Sequence, residues 1–290
     1  MRPTSASTDS ILAARVTITS IDTGGRILPG MKVTTPLTQT CDRASNRILA
    51  RGASTTTYNI RLATNKQQIR EAQNLRFLVF NIEMGEGLEE SYQTLLDQDP
   101  FDEICDHLIV EHVESGDIVG TYRLQTGKMA ATNRGFYSDG EFDLAPFKRI
   151  QHETVELGRA CVHSQHRNME VLGLLWNAIV AYCRERQCRY LIGCSSLPTM
   201  NPMDGAAAYQ SMSRKYLVSA DLQTTPRKAY RFELPPVGHS KFEVPKLFRA
   251  YLAMGSRICG EPALDREFKT IDFLTFHDLQ SHPVRRVATT

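Results

Sequence analysis

The chain has 290 residues, 41% hydrophobic and 23% charged, with a formal net charge of +2. It is long enough to bury a substantial core in one large or two small domains, and its charge is too small to argue for nucleic acid. The best apolar run, VLGLLWNAIVAY at 171–182, carries Asn177 and falls short of the roughly 18 residues of a membrane span, and no compact apolar signal region opens the chain, so a cytoplasmic location is expected.

Residues 1–57 are rich in Ser and Thr and hold no Phe, Tyr or Trp, which predicts a flexible N-terminal extension. YNIRLAT, from Tyr58, reads as a short strand. Asn65 then caps a helix predicted over Lys66 to Ile82, with Leu75, Leu78, Val79 and Ile82 on one stripe and Arg76 and Phe80 on another face. A polar, acidic stretch at 83–100 precedes DHLIVEHV and DIVGTYRL, two strands joined by ESG as a hairpin. TVELGRACV at 154–162 is the next strand, followed by a helix over about 168–186 with Val171, Leu174, Leu175, Ala178 and Tyr182 on one stripe, then the strand RYLIGCSS. That order predicts a right-handed crossover with the strands at 154–162 and 189–196 parallel. A helix near 204–216, a strand KAYRFEL, a helix VPKLFRAYLAMGSRI at 244–258 and a strand TIDFLTF complete the set. The expected fold is one α/β domain over 58–280, a mixed and mostly antiparallel twisted sheet with one β-α-β crossover and helices on both faces. A short tail at 281–290 follows.

Charges inside apolar strands need partners. Arg123 lies in GTYRL, and Glu156 and Arg159 lie in ELGR, while Arg76 on the first helix and Asp97, Asp99 and Asp102 in DQDPFD supply charges nearby. These residues are predicted to converge as a charge-assisted network around one cleft. Glu156 and Arg159, three apart, face opposite sides of a regular strand, unless a bulge at Gly158 changes the parity. Seven cysteines without paired spacings suit a reduced compartment. His163 and His166 form an HxxH, but the spacing is not that of a zinc site and no metal is expected. Cys161 beside His163 raises a thiol nucleophile, against which stands the ordinary reading of a small buried residue.

The ordered set Arg76-x3-Phe80, Asp97-x-Asp99-x2-Asp102, Arg123-Leu124 and Glu156-Leu157-x-Arg159 resembles acyl-homoserine-lactone synthases, a branch of the GNAT acyltransferases. The strings LRFLVFNIEMG, FDEICDHLIV, IVGTYRL, GFYSDGEFDL, ELGRACVHSQHR, LLWNAIVAY and LFRAYLAMGSRICGEPALDREFKTIDFL resemble more closely the ornithine-acyl-carrier-protein N-acyltransferases of ornithine-lipid synthesis. The resemblance covers about residues 58–276 and implies transfer of a 3-hydroxy fatty acyl chain from a pantetheine thioester to the α-amine of L-ornithine, by direct attack and with no bound cofactor. The alternatives are another amino-acid acceptor, lactone synthesis, or a non-catalytic carrier-protein or lipid-binding module. Where GNAT enzymes carry a glycine loop for the donor's pyrophosphate, this chain reads Arg167-Asn168-Met169-Glu170-Val171-Leu172 without glycine, which favours acyl-carrier protein over coenzyme A as donor.

That chemistry needs a base, an oxyanion site and substrate positioning. Glu156 is the first candidate for base or base-orienting group and Asp99 the second, with Arg159 beside them. Backbone N–H groups of Ala160, Cys161 and Val162 are candidates for the oxyanion site. Arg76, Arg123 or Arg159 is available for the acceptor's carboxylate, and Asp99, Asp102 or Glu156 for its second ammonium. Phe77, Phe80, Leu157, Trp176 and the 189–196 strand are expected to line the acyl cleft, and Arg167 and Asn168 to meet the donor. Arg184, Arg186, Arg189, Arg214 and Lys215 are candidate carrier-protein contacts. The helix at 244–258 carries a stripe suited to core packing or to a peripheral membrane contact. A separate O-acyltransferase is an expected partner if a two-chain lipid is made.

Overall fold

Alternation of buried and half-buried residues makes Tyr58–Leu62 (β1) a strand, and Asn65 starts the helix Lys66–Phe77 (α1) by accepting from the Gln68 N–H at 3.0 Å. The computed structural model describes residues 55–237 and 242–280, so the tail at 281–290 and all but the last three residues of the expected extension lie outside the described residues. The helix does not run on in α form to Ile82: Leu78–Glu83 is a π-helical turn, with the Met84 N–H donating to Val79 O at 3.0 Å. The Asn81 carbonyl accepts instead from the Tyr92 hydroxyl at 3.0 Å, and its amide donates to Leu88 O at 2.8 Å. These bonds draw the chain out of the helix and into the acidic stretch, which holds one short helix, Ser91–Thr94 (α2).

Asp106–His112 (β2) and Ile118–Thr126 (β3) form the expected hairpin, followed by the short helix Gly127–Thr132 (α3) and two 3-10 segments, Tyr137–Gly140 and Ala145–Glu153. Thr154–Val162 (β4), Met169–Glu185 (α4) and Tyr190–Leu197 (β5) make the crossover, and β4 and β5 pair in parallel. Pro202–Tyr216 (α5), Lys246–Ala253 (α6), Arg257–Ile258 (β6), Ala263–Asp265 (β7) and Thr270–Asp278 (β8) follow. The sheet runs β1-β2-β3-β4-β5-β8-β6, with β7 also on β8, and every pair but β4–β5 is antiparallel.

KAYRFEL is not a strand. Lys228–Tyr230 is a 3-10 turn and the chain then runs without regular pairing. Its alternation is produced by side chains that pack on the domain's flank, where Phe232 meets α5 and β8 residues. The helix expected over 244–258 stops at Ala253, where Gly255 adopts a φ of 103° and turns the chain into β6. Phe248 and Leu252 of α6 are buried beside Phe273, so its apolar stripe serves the core. Among the described residues no helix is long and apolar enough to cross a membrane.

Two layers cover the sheet. Leu174, Leu175, Ile179 and Tyr182 of α4 pack on Leu108, Val110, Tyr122 and Leu124. On the opposite face, Leu75 and Val79 pack against Cys161, and Phe136, Phe142 and Phe147 pack against Ile192, Leu274 and Phe276. Residues next to one another on a strand thus serve different layers.

Candidate active site

Arg76, 0% exposed, reaches from α1 to the segment before β2. Its Nη1 and Nη2 donate to Asp102 Oδ1 at 3.0 Å and Oδ2 at 2.6 Å, and Nη2 also donates to the Asp97 carbonyl. Its Nε lies 2.9 Å from Asp97 Oδ1, an ion-pair distance without hydrogen-bond alignment. Arg123 Nη1 donates to Asp99 Oδ1 at 2.6 Å and Asp102 Oδ1 at 3.1 Å. Arg159 donates from Nε to Asp97 Oδ1 at 3.1 Å and from Nη2 to Asp99 Oδ2 at 2.8 Å. Three arginines and three aspartates therefore alternate in one buried, charge-balanced network, which is how such charges survive in a core. Burial pushes the Asp99 and Asp102 carboxyls up, but the guanidiniums outweigh it and hold both below the ordinary range.

The backbone explains how Arg159 joins. On β3, Thr121 faces Cys161 and Arg123 faces Gly158, so Tyr122 stands opposite two residues of β4, a bulge at Arg159–Ala160. The left-handed residue is Arg159, φ 50°, and not the preceding glycine. The extra residue turns the Arg159 side chain to the face that carries Arg123 and Glu156. There its guanidinium carbon stands 5.0 Å from the Tyr137 ring centroid and 4.3 Å from that of Phe268.

Glu156, buried on the same face, binds the loop at Tyr137 rather than an arginine. Its Oε2 accepts from the Tyr137 N–H at 2.6 Å, and its Oε1 accepts from the Ser138 N–H at 2.8 Å and from the Ser138 hydroxyl. Burial raises its pKa and these donors oppose the rise. Neither candidate base is a free carboxylate here: both Glu156 oxygens are taken, and Asp99 is tied to two arginines.

β4 and β5 pair only over Thr154–Glu156 and Tyr190–Ile192, then separate. The gap holds about 480 Å³ of empty space including its open mouth. Its walls come from both faces of the sheet, with Trp176, Tyr251 and His277 from the α4 layer and Arg159, Cys194 and Phe276 from the other. Leu157, Trp176 and residues 191–195 line it, as does Ala160, whereas Cys161 and Val162, the other two residues named for the oxyanion site, are not among its walls. Phe77 and Phe80 do not line it either. Phe77 packs edge-on against Tyr92, and Phe80, beyond the start of the π-helical turn, packs near Cys161. Beyond Leu157, whose carbonyl still lies against Gly193, β4 has no pairing on the β5 side, so the N–H groups there that face the gap are outside the ladder.

Cys161 is buried against Leu75 and Val79, and burial pushes its thiol far up, which suits packing and not nucleophilic attack. Arg167 grips Glu83 with both terminal nitrogens, at 2.5 and 2.8 Å, and donates from Nε to Val162 O at 3.0 Å. Asn168 caps α4, accepting from the Val171 N–H at 2.9 Å. Arg186 and Arg189 pair with Asp106 and Asp278 at 3.4 and 2.6 Å.

Two carboxylates escaped the sequence reading. Glu141, 2% exposed, and Asp272, 4% exposed, lie with Cys194 on the Glu156 face, each offering an atom within 4.8 Å of the others. Burial raises both carboxyls, and neighbouring acids add to the rise. Asp272 sits inside the apolar strand TIDFLTF, the same signal that singled out Glu156.

Residues 75–177 match the Acetyltransferase (GNAT) domain family. The chain is 31% identical over 245 residues to the L-ornithine N(alpha)-acyltransferase of Rhodobacter capsulatus, covering 79% of this chain and 93% of that one. It is 34% identical over 230 residues to the protein of the same name from Brucella abortus, covering 73% and 81%. Among solved structures, FeeM, an N-acyl amino acid synthase from uncultured soil microbes, aligns with a TM-score of 0.46 and 12% identity over 77% of this chain and 91% of that one.

Proposed function

The chain belongs to the L-ornithine N(alpha)-acyltransferase family, and from that premise we propose that it moves a 3-hydroxy fatty acyl chain from acyl-carrier protein to the α-amine of L-ornithine. The enzyme is an acyltransferase with a GNAT domain. The observation that carries the reading is the gap between β4 and β5, with an apolar wall, an open backbone edge and a fixed cluster of charges at its side. A pantetheine thioester enters that gap with its carbonyl against the free edge of β4 at the Arg159–Ala160 bulge, where N–H groups stabilise the oxygen as charge develops. The acceptor's α-ammonium releases one proton to water and attacks the carbonyl carbon. The C–N bond forms, the C–S bond breaks, and the amine's second proton leaves with the thiol.

The network of Arg76, Asp97, Asp99, Asp102, Arg123 and Arg159 acts here as a positioning frame. It fixes the bulge, and with Glu156 it fixes the Tyr137 loop beside the gap. A carrier-protein donor is supported by the start of α4, which has no glycine loop and whose Arg167 is already held by Glu83. A product with one amide-linked chain leaves any second acylation to a separate O-acyltransferase.

The test is mass spectrometry of lipids from a host expressing the protein, followed by assays of the purified enzyme. A new ornithine amide is expected, together with at least a tenfold preference for acyl-carrier protein over acyl-coenzyme A. An amide of a different amino acid only, or a lactone, overturns the acceptor assignment.

A further inference from the structure

We propose that Glu141 and Asp272, with Cys194 beside them at the wall of the β4–β5 gap, form the subsite that receives the distal ammonium of a diamino-acid acceptor. The inference deepens the acceptor reading above and rests on it.

The site is defined by what the remaining charges leave over. Arg76, Arg123 and Arg159 balance Asp97, Asp99 and Asp102, and Glu156 is satisfied by N–H and O–H donors. Asp272 has only the hydroxyls of Ser196 and Thr270 beside it, and Glu141 only the Cys194 thiol. Glu141 Oε1 and Asp272 Oδ1 are buried and have no hydrogen-bond partner. Buried carboxylate oxygens without donors are costly, so an occupant rich in donors is what the arrangement lacks. Asp265 on β7, 4% exposed, adds to the negative field at both carboxyls, and Asp272 in turn raises the carboxyl of Glu86 on the loop after the π-helical turn. The cation that acts on Asp272 is already engaged: Arg159 is held by Asp97 and Asp99.

Size and access fit an ammonium. Its nitrogen sits about 2.8 Å from each accepting oxygen, so it can bridge atoms that lie within 4.8 Å of one another. Cys194 lines the gap while its Sγ stands 3.5 Å from Glu141 Oε2, which connects the pocket with the reaction cleft. Ser196, which faces Asp272 across the β5–β8 ladder, is exposed and marks a way in. A metal ion fits less well. Burial keeps the Cys194 thiol protonated, whereas a metal-binding cysteine needs its thiolate.

The experiment compares L-ornithine with L-norvaline, which has the same chain length and no distal ammonium, on wild type, Glu141→Gln and Asp272→Asn. Both variants keep side-chain shape, and their circular dichroism and melting curves confirm folding. Wild type is expected to prefer ornithine, and each variant to lose at least about 30-fold of the ornithine-to-norvaline ratio of kcat/KM, carried mainly by KM. Wild type preferring ornithine with the ratio unmoved in both variants overturns the subsite and leaves the proposed function standing. Wild type accepting norvaline equally, or no ornithine, overturns both. A stoichiometric divalent metal in the purified wild type that is lost in Asp272→Asn replaces the ammonium with a metal and overturns the inference.

Discussion

Arg159 holds a backbone conformation with φ 50° that residues with a long side chain seldom adopt. It stays there because two carboxylates and two aromatic rings hold its guanidinium. A lysine keeps the charge but has no planar fork to reach Asp97 and Asp99 at once. Arg159→Lys is therefore expected to keep the fold and lower kcat/KM about 100-fold, since misplacing a site by about 1 Å has that effect; steady-state kinetics checks this. Cys161→Ala should retain most activity, and the native thiol should resist alkylation, because the thiol is buried among apolar side chains. At this scale the sequence was informative wherever a charge interrupted an apolar strand, as at Arg123, Glu156 and Arg159. The rule applied to TIDFLTF would have found Asp272. Which residue carries the bulge was not legible, because the conformation of Arg159 is imposed by Asp97 and Asp99, some sixty residues earlier in the chain.

The element that shapes the cleft is the short parallel pairing of β4 with β5. A Cβ at Gly193 would lie 2.4 Å from the Leu157 carbonyl oxygen, so glycine lets the strands touch just before they part. Gly193→Val should push them apart, lower stability by about 1–3 kcal/mol in urea unfolding, and reduce activity in the fraction that folds. The crossover itself was readable from periodicity, since α4 keeps one apolar stripe between two apolar strands. The π-helical turn was not, because Tyr92 and Leu88 redirect the chain through bonds to Asn81 that no local pattern encodes. KAYRFEL misled for the complementary reason. Alternation reports two environments on either side of a chain, and the flank of a domain supplies them without a neighbouring strand.

Among the described residues, two sets of buried acids have opposite effects on stability. Asp99 and Asp102 have folded pKa values below the ordinary aspartate value of 3.8, so the stability they contribute is present above that pH and is lost as pH falls further. Glu86, pushed up to about 7 by burial and by Asp272, behaves the other way, as do Glu141 and Asp272. The folded chain holds their protons after the unfolded chain has released them, so rising pH between about 4 and 7 costs stability. Buried His107, whose pKa is lowered by desolvation, works against this trend below the ordinary histidine value of 6.5. A difference between variants cancels its contribution. Asp272→Asn should melt higher than wild type at pH 8, with the gap closing toward pH 5, as expected where a function-bearing group is held at the expense of stability. Thermal melts over that range decide it.

The breach between β4 and β5 is lined from the two opposite faces of one sheet. A reactant arriving from either flank leaves the other approach unobstructed, so neither has to wait for its counterpart to depart. Initial-rate lines measured at several fixed concentrations of the second reactant should converge at a point instead of running parallel, the signature of a ternary complex without a covalent stopover.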